Sequence, residues 1–307
     1  MSSDTKGISP SHKLDGVALK ALQHTDKFII TGSSGWLGRA TLEMLKNVVV
    51  DFPKNVFCFG QKKRSFALLD GSKILQHPIS ELSSFPKGNV SYLLNFAYLT
   101  KEKSEAIPVE DFIRINSYLS DLVSEQAKRI GVDNILTVSS GSVYGKEEQY
   151  VSDIDIDPYG VLKLREEILY SRIAEGGSKV VIPRAFNVSG PYVYKAYLYM
   201  LPSFIYQALT SDAISITADN KIYRSFVAIS ELISVVIGAF GIIQRGEVLI
   251  FDTVGESEME MGDLALKVKE IINRNVRIHR DNLNSEKRAN RYIGSREKYS
   301  SLIKELH

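Results

Sequence analysis

The sequence is short of cysteine and histidine: among its 307 residues it has one cysteine, Cys58, and five scattered histidines. A single cysteine excludes a disulfide within the chain, and no Cys/His spacing typical of a zinc site is present. We therefore predict no metal site and a reducing compartment. Long apolar runs are missing as well, since the longest, residues 232–243, falls short of the ~20 residues that a membrane span requires. This run predicts a buried helix, and we expect no contact with a membrane.

The sequence also has no large excess of charge of one sign, because 38 basic side chains balance 36 acidic ones and leave a formal net charge of +2. Such a balance gives no reason to expect a nucleic-acid partner or an anionic membrane surface. The hydrophobic fraction of 44% is enough for a packed core and does not indicate disorder. Residues 1–27 are polar and mixed in charge, without the apolar core of a signal peptide, so the expected location is the cytoplasm.

What the sequence does contain is an alternation of short apolar runs with helical patterns. This alternation predicts an α/β fold with a parallel sheet and right-handed crossovers. After Asn187 the regularity falls, and a strand at 248–252 and a helix at 261–273 are expected to close the chain. The runs that predict strands in the first part are 27–31, 55–60, 90–96, 134–139 and 179–182, and the helical patterns are 36–48, 112–130 and 159–173.

A glycine-rich turn, TGSSGWLGR at 31–39, follows the first predicted strand and precedes the first predicted helix. Glycines let the backbone approach a pyrophosphate closely, and the helix N-terminus offers unpaired amides to that anion. The spacing alone also fits a plain chain reversal, but its position between strand and helix favours a dinucleotide site. The residues expected to contact the dinucleotide here are Gly32, Ser34, Gly35, Trp36, Leu37, Gly38 and Arg39.

The end of the second predicted strand carries no acidic residue to hold the adenosine ribose. It reads Gly60, Gln61, Lys62, Lys63, Arg64, so three cations follow the strand at once. Arginine and lysine suit a 2′-phosphate, and Arg39 could assist Lys63 and Arg64. We therefore expect NADP(H) in preference to NAD(H); the alternative is that the three cations form a solvated loop.

Tyr159 and Lys163 lie four positions apart on a predicted helix and so share one face. An ammonium beside a phenol is expected to lower the pKa of the tyrosine, as a general acid/base on an alcohol/ketone pair requires. Ser139 and Ser140 end a predicted strand, where α/β sheets place functional loops, and a hydroxyl there can bind the reacting oxygen. The pair alone is common, whereas the glycine turn, the serines and the pair in this order are specific.

In that order the motifs resemble an extended short-chain dehydrogenase/reductase, of the NAD-dependent epimerase/dehydratase type that acts on nucleotide sugars. The resemblance begins near residue 27 and runs to the C-terminus. It implies a Rossmann-type, doubly wound parallel sheet with a smaller C-terminal substrate-binding lobe. The expected parts are an N-terminal extension (1–26), a dinucleotide-binding domain (27–186) and a substrate lobe (187–307) interleaved with it. The motifs are TGSSGWLG, LLNFA, RINSYL, SSGSVYG, YGVLK, RAFNVSGP and YRSF.

The resemblance also implies residue roles. Ser140 and Tyr159 would be catalytic, with Tyr159 as the general acid/base, and Lys163 would lower its pKa and hold the nicotinamide ribose. Asn187 and Arg224 would bind the substrate, Arg224 by clamping its diphosphate.

Ala97 and Asn116 would lie on the cofactor side, Asn116 in a structural or cofactor-binding role. The family commonly forms a homodimer, here through the helices near 112–130 and 159–173. The tyrosine-rich segment 192–206 fits a wall of the substrate lobe, a subunit contact or plain core packing.

The departures from the family pattern narrow the chemistry. Sugar 4,6-dehydratases carry an acidic pair where this chain has Gly141 and Ser142, and the epimerase-reductases that make GDP-fucose carry a cysteine at Ser142. The favoured function is therefore reduction of a 4-keto-sugar nucleotide. The alternatives are a nucleotide-sugar 4-epimerase or sugar dehydrogenase with bound NAD, an enzyme of a non-sugar carbonyl, and a dinucleotide-sensing protein without turnover.

Overall fold

The computed structural model describes residues 13–145, 149–281, 283–284 and 286–307. The first 12 residues of the expected N-terminal extension lie outside this part of the chain. The strands are β1 (Phe28–Thr31), β2 (Val56–Gly60), β3 (Arg64–Ala67), β4 (Lys73–Pro78), β5 (Tyr92–Asn95), β6 (Asn134–Thr137), β7 (Ser139–Ser140), β8 (Lys179–Ala185), β9 (Val188–Ser189), β10 (Ala213–Ile216), β11 (Ile222–Ser225), β12 (Val227–Ala228), β13 (Val248–Asp252), β14 (Glu258–Glu260), β15 (Arg277–Arg280) and β16 (Asn290–Tyr292). The helices are α1 (Gly16–Ala21), α2 (Trp36–Leu45), α3 (Phe52–Asn55), α4 (Lys101–Ser104), α5 (Val109–Ile130), α6 (Pro158–Ala174), α7 (Met200–Thr210), α8 (Ile229–Ile242), α9 (Met261–Ile272) and α10 (Arg296–Leu306).

The main sheet has the strand order β13-β8-β6-β5-β1-β2-β4-β3, with β7 added beside β8. Every pair in it is parallel except the edge pair of β3 with β4. The central strand β1 pairs with β2 on one side and β5 on the other, so the strand order reverses there. A crevice at the carboxyl ends of the strands is expected at such a reversal. The predicted doubly wound α/β fold is confirmed.

The central strands are mostly apolar because helices cover both faces of the sheet. In β1, Phe28 and Ile30 belong to the core beneath α2 and α8, whereas Ile29 between them belongs to the core beneath α5 and α6. Side chains of a strand point to alternate faces, so a strand covered on both sides needs a continuous apolar run. This is why the run at 27–31 could be assigned as a strand from sequence.

A smaller cluster of apolar side chains forms the core of the C-terminal lobe. It packs α7 and α9 against the two-stranded sheet of β10 and β15. The strand β13, from the same part of the chain, pairs with β8 at the edge of the main sheet. The chain therefore returns to the large sheet after it has formed part of the lobe. The boundary between the dinucleotide-binding domain and the lobe at residue 187 stays a prediction.

The structure differs from the sequence-based expectations in two segments. A hairpin of β3 and β4 follows β2, so Arg64 begins a strand rather than ending a loop. The chain does not close with α9: β15, β16 and α10 follow, and Tyr299 and Leu302 of α10 are buried in the main core. Both segments expose many of their side chains, which weakens the apolar pattern that would have revealed them.

Candidate active site

The glycine turn lies between β1 and α2, at the carboxyl end of the sheet. Gly32 has a φ of +64°, and a Cβ there would lie 2.4 Å from the carbonyl oxygen of Phe96. A Cβ at Gly38 would lie 2.5 Å from the carbonyl oxygen of Gly32. The first turn of α2 has no side-chain cap, so its amides are available to an anion. Close backbone packing and uncapped amides fit a pyrophosphate at this turn.

Ser140 ends β7, and a single turn at Gly141–Val143 follows it. Its hydroxyl oxygen accepts a hydrogen bond from the Ser142 amide at 3.1 Å. The neighbouring Ser139 hydroxyl instead donates to Oε1 of Glu167 at 2.5 Å. Ser139 is therefore engaged in the protein framework, which agrees with the choice of Ser140 as the candidate catalytic residue.

Tyr159 is in the first turn of α6, which begins at Pro158 and is capped by the Asp157 carboxylate accepting from the Gly160 amide at 3.0 Å. Burial raises the pKa of Tyr159, and a hydrogen bond with Ser140 opposes that rise. The sequence-based expectation that Lys163 lowers this pKa is wrong for the protein alone. Desolvation dominates, and a carboxylate, Glu166, adds to it. The phenol of Tyr159 therefore holds its proton at neutral pH.

Lys163, one turn further along α6, is almost fully buried. Its ammonium donates to the carbonyl oxygen of Val138 at 2.8 Å and to the Glu166 carboxylate at 2.7 Å. The Tyr98 ring covers it, with its centroid 3.4 Å from Nζ. Burial lowers the pKa of Lys163, whereas Glu166 raises it. The sequence reasoning missed both Glu166 and Tyr98, although the three-residue spacing from Lys163 to Glu166 was a usable signal.

One cavity of about 680 Å³ joins these elements, a size usual for a small-molecule site. It extends from the glycine turn past Tyr159 to the lobe, where the Lys195 ammonium lies 3.4 Å from the Glu102 carboxylate. Tyr98 and Tyr292, which the sequence reasoning did not single out, help to line it, and so do Tyr194 and Tyr199 of the tyrosine-rich segment 192–206. The predicted site residues that line this cavity are Gly32, Gly35, Trp36, Leu37, Gly38, Ala97, Ser140, Tyr159, Lys163, Asn187 and Arg224.

The lobe end of the cavity carries Asn187 and Arg224. The Asn187 amide donates to the carbonyl oxygen of Tyr292 at 3.2 Å. Arg224, on β11, donates from Nη1 to the carbonyl oxygen of Tyr223 at 2.8 Å and to Oδ1 of Asn290 at 2.9 Å. Its guanidinium lies over the Tyr292 ring, 5.8 Å from the centroid, and burial lowers its pKa. The guanidinium is thus held in one orientation by a strand and an aromatic ring.

The remaining predicted site residues, Ser34, Arg39, Lys63, Arg64 and Asn116, are not among the cavity-lining residues. Asn116 is buried and bridges to the backbone of Leu99, accepting from its amide at 2.8 Å and donating to its carbonyl at 3.2 Å. The side chain therefore holds the segment after β5, in agreement with the structural role considered for it.

The cations proposed for a 2′-phosphate lie in two different settings. The Arg39 guanidinium is enclosed by the rings of Phe66 and Tyr192, 4.9 and 5.4 Å from their centroids. Lys63 and Arg64 are exposed at the start of β3. The structure thus does not bring Arg39 together with Lys63 and Arg64 in one cavity.

The side chain of Gln76 occupies the space beside Gly60, at the strand end where a ribose-binding acid was missing. A Cβ at Gly60 would lie 2.4 Å from that side chain. The Gln76 amide accepts from the Ser33 hydroxyl at 2.9 Å and donates to the Lys62 carbonyl at 2.8 Å. Gln76 thereby ties the glycine turn to the basic segment.

Within the described residues, no helix combines the length and the apolar character needed to cross a bilayer. In the same part of the chain, no group of three or more histidine, cysteine, aspartate or glutamate side chains is arranged to hold a metal ion.

Comparison with known proteins gives a consistent result. One similar protein is the UDP-N-acetyl-alpha-D-glucosaminuronate decarboxylase of Bacillus cytotoxicus, 29% identical over 146 residues, which are 44% of this chain and 46% of that protein. The chain thus spans about half the length of this relative.

Two solved structures share the fold. The UDP-N-acetylglucosamine 4-epimerase of Methanobrevibacter ruminantium M1, in complex with UDP-N-acetylmuramic acid, matches with a TM-score of 0.71 and 17% identity over 91% of this chain and 92% of that one. MoeE5 in complex with UDP-glucuronic acid and NAD matches with a TM-score of 0.68 and 19% identity over 90% and 92%. The family model described as NAD dependent epimerase/dehydratase family matches residues 28–248. Since that match covers well over half of the sequence, the chain belongs to the NAD-dependent epimerase/dehydratase family.

Proposed function

We propose that the protein is a reductase that transfers a hydride from a nicotinamide dinucleotide to a keto carbon, most specifically C4, of a nucleotide-linked sugar. One observation carries this proposal: the glycine turn, the Ser140–Tyr159–Lys163 group and Arg224 all line a single cavity. The dinucleotide, when bound at the turn, supplies the hydride. The chain supplies the rest: Ser140 binds the reacting oxygen, and Tyr159 donates a proton to it.

The protonation of Tyr159 favours the reductive direction. A ketone that accepts a hydride becomes an alkoxide, which needs a proton donor within reach. Burial raises the pKa of Tyr159, so its hydroxyl carries that proton before the reaction starts. In the oxidative direction the same residue would first have to lose its proton beside Glu166, whose charge opposes the loss.

Elimination of water from the sugar is not supported by the residues of the cavity. Such a step needs an acid and a base close to the reacting carbons. Among the described residues, the carboxylates that line the cavity are Glu102 and Glu166. Glu102 lies at the mouth with Lys195, and Glu166 is bound to Lys163. Beside Ser140 stand Gly141 and Ser142, which cannot serve as that acid and base.

The lobe end of the cavity supports a diphosphate-linked substrate. Arg224 offers a forked guanidinium, a group that binds phosphate oxygens in pairs, and it is fixed by β11 and the Tyr292 ring. Asn187 lines the same cavity and offers an amide to a polar substituent. We assign the diphosphate to Arg224 and the sugar to the space between Asn187 and Tyr159.

For the cofactor we keep the preference for NADP(H) over NAD(H) as a proposal. Its support is the absence of a carboxylate at Gly60 and the exposed cations Lys63 and Arg64 directly after it. MoeE5, which shares the fold, is in complex with NAD, so substitutions at these two cations have to decide the cofactor of this chain. Cytoplasmic location stays a prediction of the sequence.

A homodimer that packs α5 and α6 against their copies in a second molecule is also proposed. Tyr118 of α5 and Ile168 of α6 support it, because about half of the surface of each large apolar side chain is exposed. Single exposed apolar side chains are common on protein surfaces, so the mass of the protein in solution has to test the dimer.

The proposal is tested by incubating the protein with a panel of nucleoside-diphosphate 4-keto sugars and following the absorbance of NADPH and NADH. We expect one member of the panel to be consumed. Tyr159→Phe should lower kcat by about 100- to 10,000-fold, the usual contribution of a general acid, while dinucleotide binding persists. Full activity of Tyr159→Phe would refute the assignment.

A second candidate is a nucleotide-sugar 4-epimerase that keeps NAD bound. It is favoured by the shared fold with a 4-epimerase structure, at a TM-score of 0.71. The dinucleotide released when the purified protein is denatured separates the two functions. Stoichiometric NAD favours the epimerase, whereas NADP or an empty site with NADPH-dependent turnover favours the reductase.

A further inference from the structure

The ammonium of Lys163 has two hydrogen-bond acceptors within the protein and an aromatic ring beside it. One N–H donates to the Val138 carbonyl at 2.8 Å and another to the Glu166 carboxylate at 2.7 Å, and the centroid of the Tyr98 ring lies 3.4 Å from the nitrogen. Side-chain exposure is 6% for Lys163 and 2% for Glu166, so water does not replace either partner. The Glu166 carboxylate therefore already holds Lys163, the residue that is proposed to bind the nicotinamide ribose.

Glu166 is itself fixed by two strands of the main sheet. Its other carboxylate oxygen accepts from the Asn95 amide at 3.3 Å and from the Thr137 hydroxyl at 3.2 Å. Asn95 in turn accepts from the Thr31 hydroxyl at 2.5 Å and donates to the Tyr170 hydroxyl at 3.0 Å. Glu166 cannot follow Lys163 into the cavity without breaking this buried network.

The charge of Lys163 depends on that carboxylate. Burial of an ammonium favours its neutral form, and a carboxylate in contact favours the charged form. Desolvation lowers the pKa of Lys163, with Glu166 as the largest opposing cause and Glu167 as a smaller one. Without Glu166, the buried ammonium of Lys163 would lose most of the negative charge that offsets its desolvation.

We propose that Glu166 is a positioning residue that acts through Lys163: its carboxylate keeps the ammonium charged at the back of the cavity, ready for the nicotinamide ribose. This rests on the proposed function, because it assumes that Lys163 receives a dinucleotide. We assign Glu166 no direct contact with the cofactor or the substrate, because both of its carboxylate oxygens accept hydrogen bonds within the protein. The charged and titratable groups that face Lys163 or Tyr159 are Glu166 and Glu167 on α6, Tyr98 after β5, Glu102 on α4 and Tyr292 on β16.

The chain offers a matched control. Glu43 on α2 is also a buried glutamate, and it forms an ion pair with Lys46 three residues later and a hydrogen bond with the Tyr192 hydroxyl. It does not line the cavity. Glu43→Gln therefore removes a buried carboxylate–lysine pair of the same spacing away from the site, whereas Glu166→Gln removes the pair within it.

Dinucleotide binding can be followed without a substrate. Trp36 is the single tryptophan of the chain and lines the cavity at the glycine turn, so its fluorescence reports on a bound dinucleotide. We would titrate wild type, Glu166→Gln, Glu166→Asp and Glu43→Gln with NADH and with NADPH from pH 6 to about 10, a span that brackets shifted lysine pKa values. Affinity should fall about fivefold as Lys163 loses its charge, since a charged hydrogen bond exceeds a neutral one by about 1 kcal/mol.

For Glu166→Gln we expect this fall in affinity at a pH at least about one unit lower than in wild type, the usual effect of one adjacent charge. Glu166→Asp retains the charge, so its fall in affinity should lie close to the wild-type pH. Glu43→Gln should follow the wild-type curve. Lys163→Met should abolish the step altogether, which attributes it to that residue.

Three results would overturn the inference. They are an unshifted curve for Glu166→Gln, equal shifts for Glu166→Gln and Glu43→Gln, and an equal shift for Glu166→Asp. If Glu166→Gln does not fold, Glu166→Asp is compared with wild type alone. A fall in dinucleotide affinity that occurs a pH unit or more away from the wild-type value would speak against a role of the charge. If wild type binds neither dinucleotide at any pH, the proposed function fails first, and the inference fails with it.

Discussion

A buried ion pair behind the active site gives the sharpest prediction for stability. Arg184 of β8 donates from Nε to Oε1 of Glu167 at 2.8 Å and from Nη2 to Oε2 at 2.7 Å, which is a two-pronged contact. Both side chains are less than 10% exposed. Arg184 also donates to the Tyr144 hydroxyl at 2.5 Å, and the Ser139 hydroxyl donates to Glu167. The pair thus joins α6, β8 and β7, the strand that ends in Ser140.

Removing one partner deprives the other buried charge of its main counter-ion; among the described residues, Arg184 retains only Asp252, whose Oδ1 lies 4.0 Å from Nη1. Such a loss costs about 3–5 kcal/mol, so Glu167→Gln and Arg184→Met should each lower the free energy of unfolding by that amount. The double variant should cost about 2 kcal/mol less than the sum, because the second substitution removes the charge that the first one stranded. The exposed pair of Arg245 and Asp133, at 3.0 Å, is the control, and Arg245→Met should cost less than about 1 kcal/mol.

Chemical denaturation of the four variants measures these values, with the slope against denaturant checked for constancy. Glu167→Gln should also reduce kcat, because a neutral amide oxygen is a weaker acceptor for Ser139 and supports the adjoining Ser140 less firmly. If Glu167→Gln and Arg245→Met cost the same, or if the cycle is additive, the pair does not stabilise this region as we infer.

Three further predictions concern the cavity itself. Gly38→Ala should abolish dinucleotide binding, since its Cβ would lie 2.5 Å from the Gly32 carbonyl oxygen; calorimetric titration with NADPH checks it, and unchanged affinity would show that the turn adapts. Lys63→Ala with Arg64→Ala should weaken NADPH more than NADH, by about tenfold for each lost charged contact of about 1.5 kcal/mol, and an equal effect on both would remove the argument for NADP(H). Arg224→Ala should weaken binding of a nucleoside-diphosphate sugar by at least about tenfold on the same basis, measured with UDP-glucose as a probe, and the diphosphate assignment is wrong if no nucleotide sugar of a panel loses affinity.

The sheet was predictable because its strands are buried on both faces. The runs at 27–31 and 179–182 contain the uninterrupted apolar stretches 28–30 and 180–182, and the structure has strands there. The hairpin of β3 and β4 escaped detection because three of the four side chains of β3 are exposed and its first residue continues a run of cations. Elements at the edge of a fold bury little, so their sequences carry little pattern.

The positions of Ser140, Tyr159 and Lys163 at one cavity could be predicted from the sequence, but their electrostatics could not. A helical spacing placed Tyr159 and Lys163 on one face of α6, and motif order placed Ser140 beside them. The pKa of Tyr159 depends on burial and on Glu166, and Glu166 is held by Asn95, which lies 71 residues earlier in the chain. Contacts over such separations exist only in the folded chain. The local argument about Lys163 therefore gave the wrong direction for the tyrosine.

The most direct test of the proposed reaction follows the hydride itself. The protein would be incubated with a nucleoside-diphosphate 4-keto sugar and NADPH carrying deuterium at the transferable position, and the sugar product would be examined by mass spectrometry. We predict that the product gains one deuterium and that NADPH is consumed in equal amount, with Tyr159→Phe forming little product in the same time. A sugar product that forms at the wild-type rate without deuterium would contradict the account and would favour an enzyme that cycles its own bound NAD.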